Sequence, residues 1–151
     1  MQGPQDIDLS TAHCFACGPD NPHGLHLNFD VTGETVRATY ECLESMSGWG
    51  AIQHGGITAA ILDEACGYLS YAKQITTMTA KLQISYRLPI FVGETLDVRG
   101  HLTRTKGRVI EAYSEITGEG GEVRAEARAT MLALTQEQKL AYGFHPPELK
   151  D

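Results

Sequence analysis

The run that most constrains this chain is a helix-forming stretch with almost no polar side. Across residues 57–72, Ile57, Ala60, Ile61, Ala65, Tyr68, Leu69 and Ala72 recur at helical spacing on one broad face, and Ala59, Leu62 and Cys66 lie outside it. A helix that is apolar nearly all the way round cannot rest on a single surface, so other structure has to wrap it. Its only formal charges are the adjacent Asp63 and Glu64, with Lys73 near the expected C-terminus, where a cation suits the helix dipole. Burying an unpaired carboxylate among Ala, Ile and Leu is costly, and these acids therefore need a physical reason.

The wrapping elements follow from a change of period. Leu25-His26-Leu27-Asn28-Phe29 alternates after the turn Asn21-Pro22-His23-Gly24 and predicts a first strand. Residues 35–41 predict a second, with Thr32-Gly33-Glu34 as the hairpin turn, and a Gly-rich loop over 45–53 leads to the helix. Beyond the helix, Met78, Ala80, Leu82, Ile84, Tyr86 and Leu88 alternate with Thr79, Lys81, Gln83, Ser85 and Arg87. This pattern specifies a long strand with one buried face, which Pro89 stops or marks as an edge. Leu96, Val98 and Leu102 continue the alternation, Lys106-Gly107 turns the chain into 109–117, and Gly118-Glu119-Gly120-Gly121 turns it into 123–131. The expectation is three long antiparallel strands in a meander after the helix and two strands before it. A long apolar helix and a curved antiparallel sheet fit together when the sheet wraps the helix, which is an α+β hotdog fold in outline.

A length of 151 residues suits one domain. The expected layout is an irregular N-terminal segment over 1–24, containing Pro4, Pro19 and Pro22, a hotdog domain over 25–135, and a C-terminal tail or short helix over 136–151 with Pro146-Pro147. With 12 basic against 19 acidic side chains, the chain is poorly suited to nucleic acid or an anionic membrane, and an anionic ligand must find a local basic patch. No apolar run reaches the roughly 20 residues needed to span a bilayer, and residues 1–12 lack signal-peptide features, so the expectation is a soluble, cytoplasmic protein. The 4 cysteines are too few for a disulfide scaffold, and reduced thiols are expected. Cys14-Phe15-Ala16-Cys17-Gly18 has the spacing of half a zinc site, with His13, His23 and His26 nearby. Without a second C-x-x-C, the expectation is a loop that packs over something, and no metal site.

Candidate chemistry centres on the helix start. Gly55 and Gly56 precede the apolar run, where backbone N–H groups lack intrahelical partners and glycine allows close approach, so they can serve a developing oxyanion. Asp63 lies about two turns further on and reaches the same pocket if both face a common cleft. A carboxylate isolated in apolar surroundings suits a base that works near neutral pH. An Asp in a helix is often only a hydrogen-bonded surface residue, however, and Gly-Gly before a helix is often only a loop.

His54-Gly55-Gly56 followed by Asp63, then Met78-Thr79-Ala80-Lys81-Leu82-Gln83-Ile84-Ser85-Tyr86-Arg87-Leu88-Pro89-Ile90, resembles the acyl-CoA thioesterases of the hotdog superfamily. The similarity is closest to the branch containing the phenylacetate-pathway and 4-hydroxybenzoyl-CoA thioesterases and the human thioesterase superfamily members. The N-terminal stretch Cys14-Phe15-Ala16-Cys17-Gly18 with Asn21-Pro22-His23-Gly24-Leu25 is also similar to one found in that group, so the resemblance spans residues 14–134. It implies hydrolysis of an acyl-CoA thioester to free acid and coenzyme A, without metal or redox cofactor, coenzyme A being part of the substrate. By resemblance, Asp63 is the base or nucleophile and the Gly55 N–H polarises the thioester carbonyl. Gly56 shapes that turn, Thr79 positions the water, and His54 orders the loop.

Several relatives carry an Asn or Gln in the loop before His-Gly-Gly, and Ser47-Gly48-Trp49-Gly50 offers no match; Gln53 is the nearest amide. Glu64 points about 100° away from Asp63, toward an interface or a buried partner. Lys81, Arg87, Arg104, Lys106 and Arg108 are the candidates for the coenzyme A phosphates, each of them also readable as a solvated strand or turn residue. Trp49, Tyr68 and Tyr86 read as core or interface, with Trp49 the candidate acyl contact. The family pairs sheets edge to edge, which implies a homodimer or a homotetramer built as a dimer of dimers, with Gly55 of one subunit facing Asp63 of its neighbour. The rival readings are a non-catalytic acyl-CoA-binding module and, further off, an acyl-thioester hydratase or dehydratase.

Overall fold

The apolar run forms α1, Gly55–Tyr71, in a computed structural model that describes residues 11–144. Six strands accompany it: β1 (Asp30–Thr32), β2 (Thr35–Glu41), β3 (Thr77–Tyr86), β4 (Thr95–Lys106), β5 (Val109–Thr117) and β6 (Val123–Ala133). They make one antiparallel sheet in the order β1-β2-β4-β5-β6-β3, and α1 packs across β2 to β6. A short α2, Gln136–Ala141, follows, capped by Thr135 and Gln138 acting reciprocally. The predicted features at Pro4 and Pro146-Pro147, and most of the 1–12 segment, lie outside the described residues.

The helix is wrapped as its composition demands. Ile61, Leu62, Ala65, Cys66 and Leu69 are buried against Leu96, Val98, Ile110, Ile116 and Met131. Leu62 and Cys66, which the spacing sets outside the apolar face, are fully covered, whereas Ala72 is exposed. The curved sheet selects a face centred between Ile61 and Leu62. Small side chains on its concave side, Ala112, Ala125, Ala127 and Ala129, leave room for α1. At Gly100 a β-carbon would press on Val36 and on the Tyr113 carbonyl at 3.1 Å, so glycine suits the crowding of the neighbouring strands here.

Three expectations change. Residues 25–29 alternate inward at Leu27 and Phe29 but form no strand. Their backbone pairs instead with the C-x-x-C loop, Leu25 N–H donating to the Phe15 carbonyl and Leu27 N–H to the Ala16 carbonyl, and His26 adopts a left-handed φ of 51°. Four strands, rather than three, follow the helix. Of these, β4, β5 and β6 form the meander, while β3 crosses to the far side and pairs with β6.

As the terminal strand of the sheet, β3 also lacks the fully buried face its alternation predicts. Leu82 and Ile84 are half-buried, whereas Met78, Tyr86 and, just past the strand end, Leu88 are exposed. A bulge at Ala80 shifts its register between Thr79 and Lys81.

The loop after β3 is pinned by Arg124. Its guanidinium donates to both Glu94 oxygens, at 2.7 and 2.8 Å, to Glu122 at 2.7 Å and to the Pro89 carbonyl at 2.8 Å. This buried arginine escapes a hydrophobicity pattern; the only hint in the sequence is its proximity to Glu122 on an otherwise apolar strand.

Candidate active site

Helix α1 begins at a histidine cap. His54 Nδ1 accepts from the Gly56 N–H at 2.8 Å, and the His54 carbonyl accepts from Ile57 and Thr58. That role requires an unprotonated Nδ1 and occupies the Gly56 amide. Among the described residues, only the Gly55 N–H of the first turn is left without a partner. The Gly55 carbonyl accepts from the Tyr86 hydroxyl at 2.8 Å, which ties the helix start to the end of β3. Tyr86, which the sequence pattern places only as core or interface, thereby borders the candidate site. A hydroxyl-bearing aromatic on the inward register of an edge strand was the available signal.

Asp63 lies on the same helix, half-buried, and its Oδ1 accepts from Thr79 Oγ1 at 2.7 Å. The two residues predicted to act together therefore meet within one chain, and the acid is not isolated. Gly55 does not join them: eight residues of α-helix separate Gly55 from Asp63 by about 12 Å along the axis.

Glu64 faces the other way, toward Cys14 and Cys17. Burial holds its carboxyl above the ordinary range, and the Asp63 charge adds to this while the two thiols oppose it. Burial likewise raises the Cys17 thiol, with Glu64 adding to the effect.

The predicted substrate-binding residues divide. Gln53 borders a cleft of about 340 Å³ with Gly55, Tyr86 and Leu88. It is itself buried, however: its amide oxygen accepts from Tyr40 at 3.0 Å and its nitrogen donates to Thr58 at 2.8 Å, so it braces the loop from within. Trp49 belongs neither to the core nor to this cleft. It projects from a loop tip with 95% of its surface exposed.

Among the cations, Arg87 pairs with Glu126 at 2.9 Å, and Arg108 donates to the Ala133 carbonyl and to Gln138. Lys81, Arg104 and Lys106 are exposed and have no side-chain partner among the described residues. Arg104, Glu111, Thr130 and Lys81 stand in one row across β4, β5, β6 and β3. Lys81 is therefore roughly 14 Å from Arg104, three strand spacings away.

A long helix wrapped by a six-stranded antiparallel sheet, with an acid and a hydroxyl paired beside the last strand, defines the hotdog class of folds. The chain belongs to the Thioesterase superfamily, whose sequence profile matches residues 50–125, just over half of its length. A crystallised thioesterase superfamily protein shares 25% identity at a TM-score of 0.75, the match covering 80% of this chain and 63% of that one. The chain thus spans less than two thirds of that relative. A Streptococcus pneumoniae hypothetical thioesterase solved with coenzyme A has 18% identity, a TM-score of 0.69 and coverage of 73% and 90%. It has also been solved as variants in which an aspartate or a threonine is changed to alanine. The E. coli PaaI protein, from the phenylacetic acid degradation operon, has 18% identity, a TM-score of 0.70 and coverage of 74% and 81%. No curated protein matches the chain. No helix among the described residues is long and apolar enough to cross a membrane.

Proposed function

We propose that the protein is a cytoplasmic acyl-CoA thioesterase that hydrolyses an acyl-CoA to free acid and coenzyme A. The observation that carries this reading is the Asp63–Thr79 pair on the family's own fold. Asp63 takes a proton from water as the water attacks the thioester carbonyl and passes it to the departing sulfur, or attacks that carbon itself to form a mixed anhydride that water then hydrolyses, a water proton going to the sulfur. Thr79 fixes the carboxylate and the water, the Gly55 N–H receives the developing oxyanion, and coenzyme A leaves as the thiol. The reading draws support from the coenzyme A bound to the S. pneumoniae relative and from the aspartate and threonine changed in its variants.

The site is shared between two copies of the chain. A span of about 12 Å is too long for one carbonyl to touch both Gly55 and Asp63 of the same helix. The long, open β3 edge, with exposed Met78, Tyr86 and Leu88, is where a second copy would add its own strand and bring an antiparallel α1 alongside. The assembly is then a homodimer or a dimer of dimers. Of the candidate cations, Lys81, Arg104 and Lys106 have no side-chain partner among the described residues and are free to meet the coenzyme A phosphates.

The test is Asp63→Ala assayed by release of free thiol from short, long and aromatic acyl-CoAs. Unchanged turnover in a folded variant refutes the assignment. One observation favours a non-catalytic acyl-CoA-binding module instead: the loop amide of Gln53 is already spent on Tyr40 and Thr58. Acyl-CoA binding without thiol release by the unaltered protein would establish that rival.

A further inference from the structure

The C-x-x-C loop is built around a target. Its turn is closed by Gly18 N–H donating to the Cys14 carbonyl at 2.8 Å and by Asp20 N–H donating to the Ala12 carbonyl at 2.9 Å. A β-carbon at Gly18 would collide with the Cys14 backbone, so this turn accepts only glycine. From the other side, the Phe15 and Ala16 carbonyls accept from Leu25 and Leu27, and the Ala16 side chain is buried in the core. The loop is thereby fixed against α1, with both thiols turned to one point.

That point is Glu64. Cys14 Sγ, Cys17 Sγ and a Glu64 carboxylate oxygen all lie within 4.8 Å of one another, although the loop and the helix residue are 50 positions apart in sequence. Among the described residues no Lys, Arg or His pairs with Glu64. Among the described residues its carboxylate meets the two thiols, with Cys14 Sγ at 3.8 and 3.9 Å from its two oxygens and Cys17 beside it. A thiol is a weak donor and poor compensation for a carboxylate drawn into an apolar helix.

The spacing fits a metal better than it fits a hydrogen bond. Around a tetrahedral zinc with a sulfur at about 2.3 Å and a carboxylate oxygen at about 2.0 Å, the sulfur and oxygen stand about 3.5 Å apart. The Cys14–Glu64 separations are only a few tenths of an ångström longer.

We propose that Cys14, Cys17 and Glu64 form a site for a thiophilic divalent metal ion, with zinc the ion that the two-sulfur, one-carboxylate set fits best. Binding displaces the two thiol protons to solvent, and two thiolates, one carboxylate and the dication leave the site with a single net negative charge. Three protein ligands leave a fourth position for water or a small ligand. The ion would clamp the N-terminal loop to α1 at the residue next to Asp63. The histidines near the motif are not its partners: His26 Nε2 is hydrogen-bonded to the Asn21 carbonyl at 2.6 Å, and His13 and His23 are exposed. Cys42 and Cys66 are buried elsewhere and do not contribute.

The full chain, stripped with chelator and kept reduced, is titrated with zinc against a chromophoric competitor and, separately, with cobalt. The expected result is one ion per chain, a cobalt spectrum with thiolate charge-transfer bands, a melting temperature raised by zinc, and affinity that increases with pH as thiol protons are released. Cys14→Ser and Cys17→Ser lose the stoichiometric ion and most of the charge-transfer intensity. Glu64→Gln keeps the thiolate bands but binds zinc more weakly. Circular dichroism confirms folding, and Glu64→Gln, which removes charge and keeps volume, serves if a cysteine variant fails to fold. Equal zinc uptake by the unaltered protein and all three variants, or no stoichiometric uptake by the reduced protein, overturns the proposal. So does a Cys14–Cys17 disulfide that persists under reductant.

Discussion

Thr79 Oγ1 donates to Asp63 Oδ1 at 2.7 Å, joining the last strand of the sheet to the middle of its central helix. The bond orients a half-buried carboxylate whose second oxygen has no protein donor among the described residues and is available to a water or a substrate. A hydrogen bond to a charged group contributes about 1.5–3 kcal/mol, enough to fix one rotamer. Thr79→Val should therefore lower kcat for thiol release by roughly 10- to 100-fold, the rate equivalent of that energy. Thr79→Ser, which keeps the hydroxyl, should stay close to the unaltered rate. A Thr79→Val variant that turns over as fast as the unaltered protein would show that the hydrogen bond does not matter.

Gly55→Pro isolates the role of one N–H group. Gly55 is the first helical residue after a cap with φ −58° and ψ 132°, a backbone setting that proline and its predecessor both accept. A β-carbon there meets Tyr86 only at ordinary contact distance, 3.7 Å. The variant should fold normally and lose about 10²- to 10³-fold in kcat, as removal of an oxyanion donor does. Mixing it with Asp63→Ala after mild dissociation should restore part of the activity, because one of the two sites in each mixed dimer is intact. No recovery in demonstrably mixed dimers would place both residues in a single-chain site.

His54 acts on stability before it acts on chemistry. His54→Ala removes the acceptor for the Gly56 N–H and should cost about 1 kcal/mol in urea unfolding, the usual value of a helix cap. Gly56→Ala should be destabilising for a related reason, since its β-carbon would sit 3.0 Å from His54 Nδ1. A variant at either position with an unshifted urea midpoint would contradict the cap.

Acid should loosen the loop behind β3 first. The Arg124 guanidinium, helped by the Phe91 N–H, holds the Glu94 carboxyl at about 2 against an ordinary 4.5. A depressed value in the folded state means that this stabilisation is complete above pH 4.5 and disappears as the pH falls toward 2. Glu94→Gln should melt at lower temperature than the unaltered protein near neutrality, and the gap should close across that window. Melting curves that run parallel from pH 6 to about pH 2 would exclude the linkage.

The helix, the turns at Gly33 and Gly107, and the 109–117 and 123–131 strands were legible because periodicity reports which way a side chain faces. It does not report which strand lies next door. The pairing of β3 with β6 therefore escaped, and with it the exposure of Met78 and Tyr86. The same limit governs the site. Asp63 and Gly55 stood out by type and spacing and Thr79 only through the family resemblance, but Gln53 turned out to be committed to Tyr40 and Thr58, residues that no local pattern links to it. Leu25 to Phe29 alternated as a strand does, yet its amides go to the loop around Phe15 and Ala16, a contact fixed by the tight turn at Gly18.

The open edge of β3 has a consequence for how a site shared between copies would be switched. If half of each reaction centre arrives on another molecule, turnover per chain depends on how many chains are present, and dilution alone extinguishes it without any inhibitor. Specific activity plotted against protein concentration then becomes a binding curve, and its midpoint is the dissociation constant of the sheet edge.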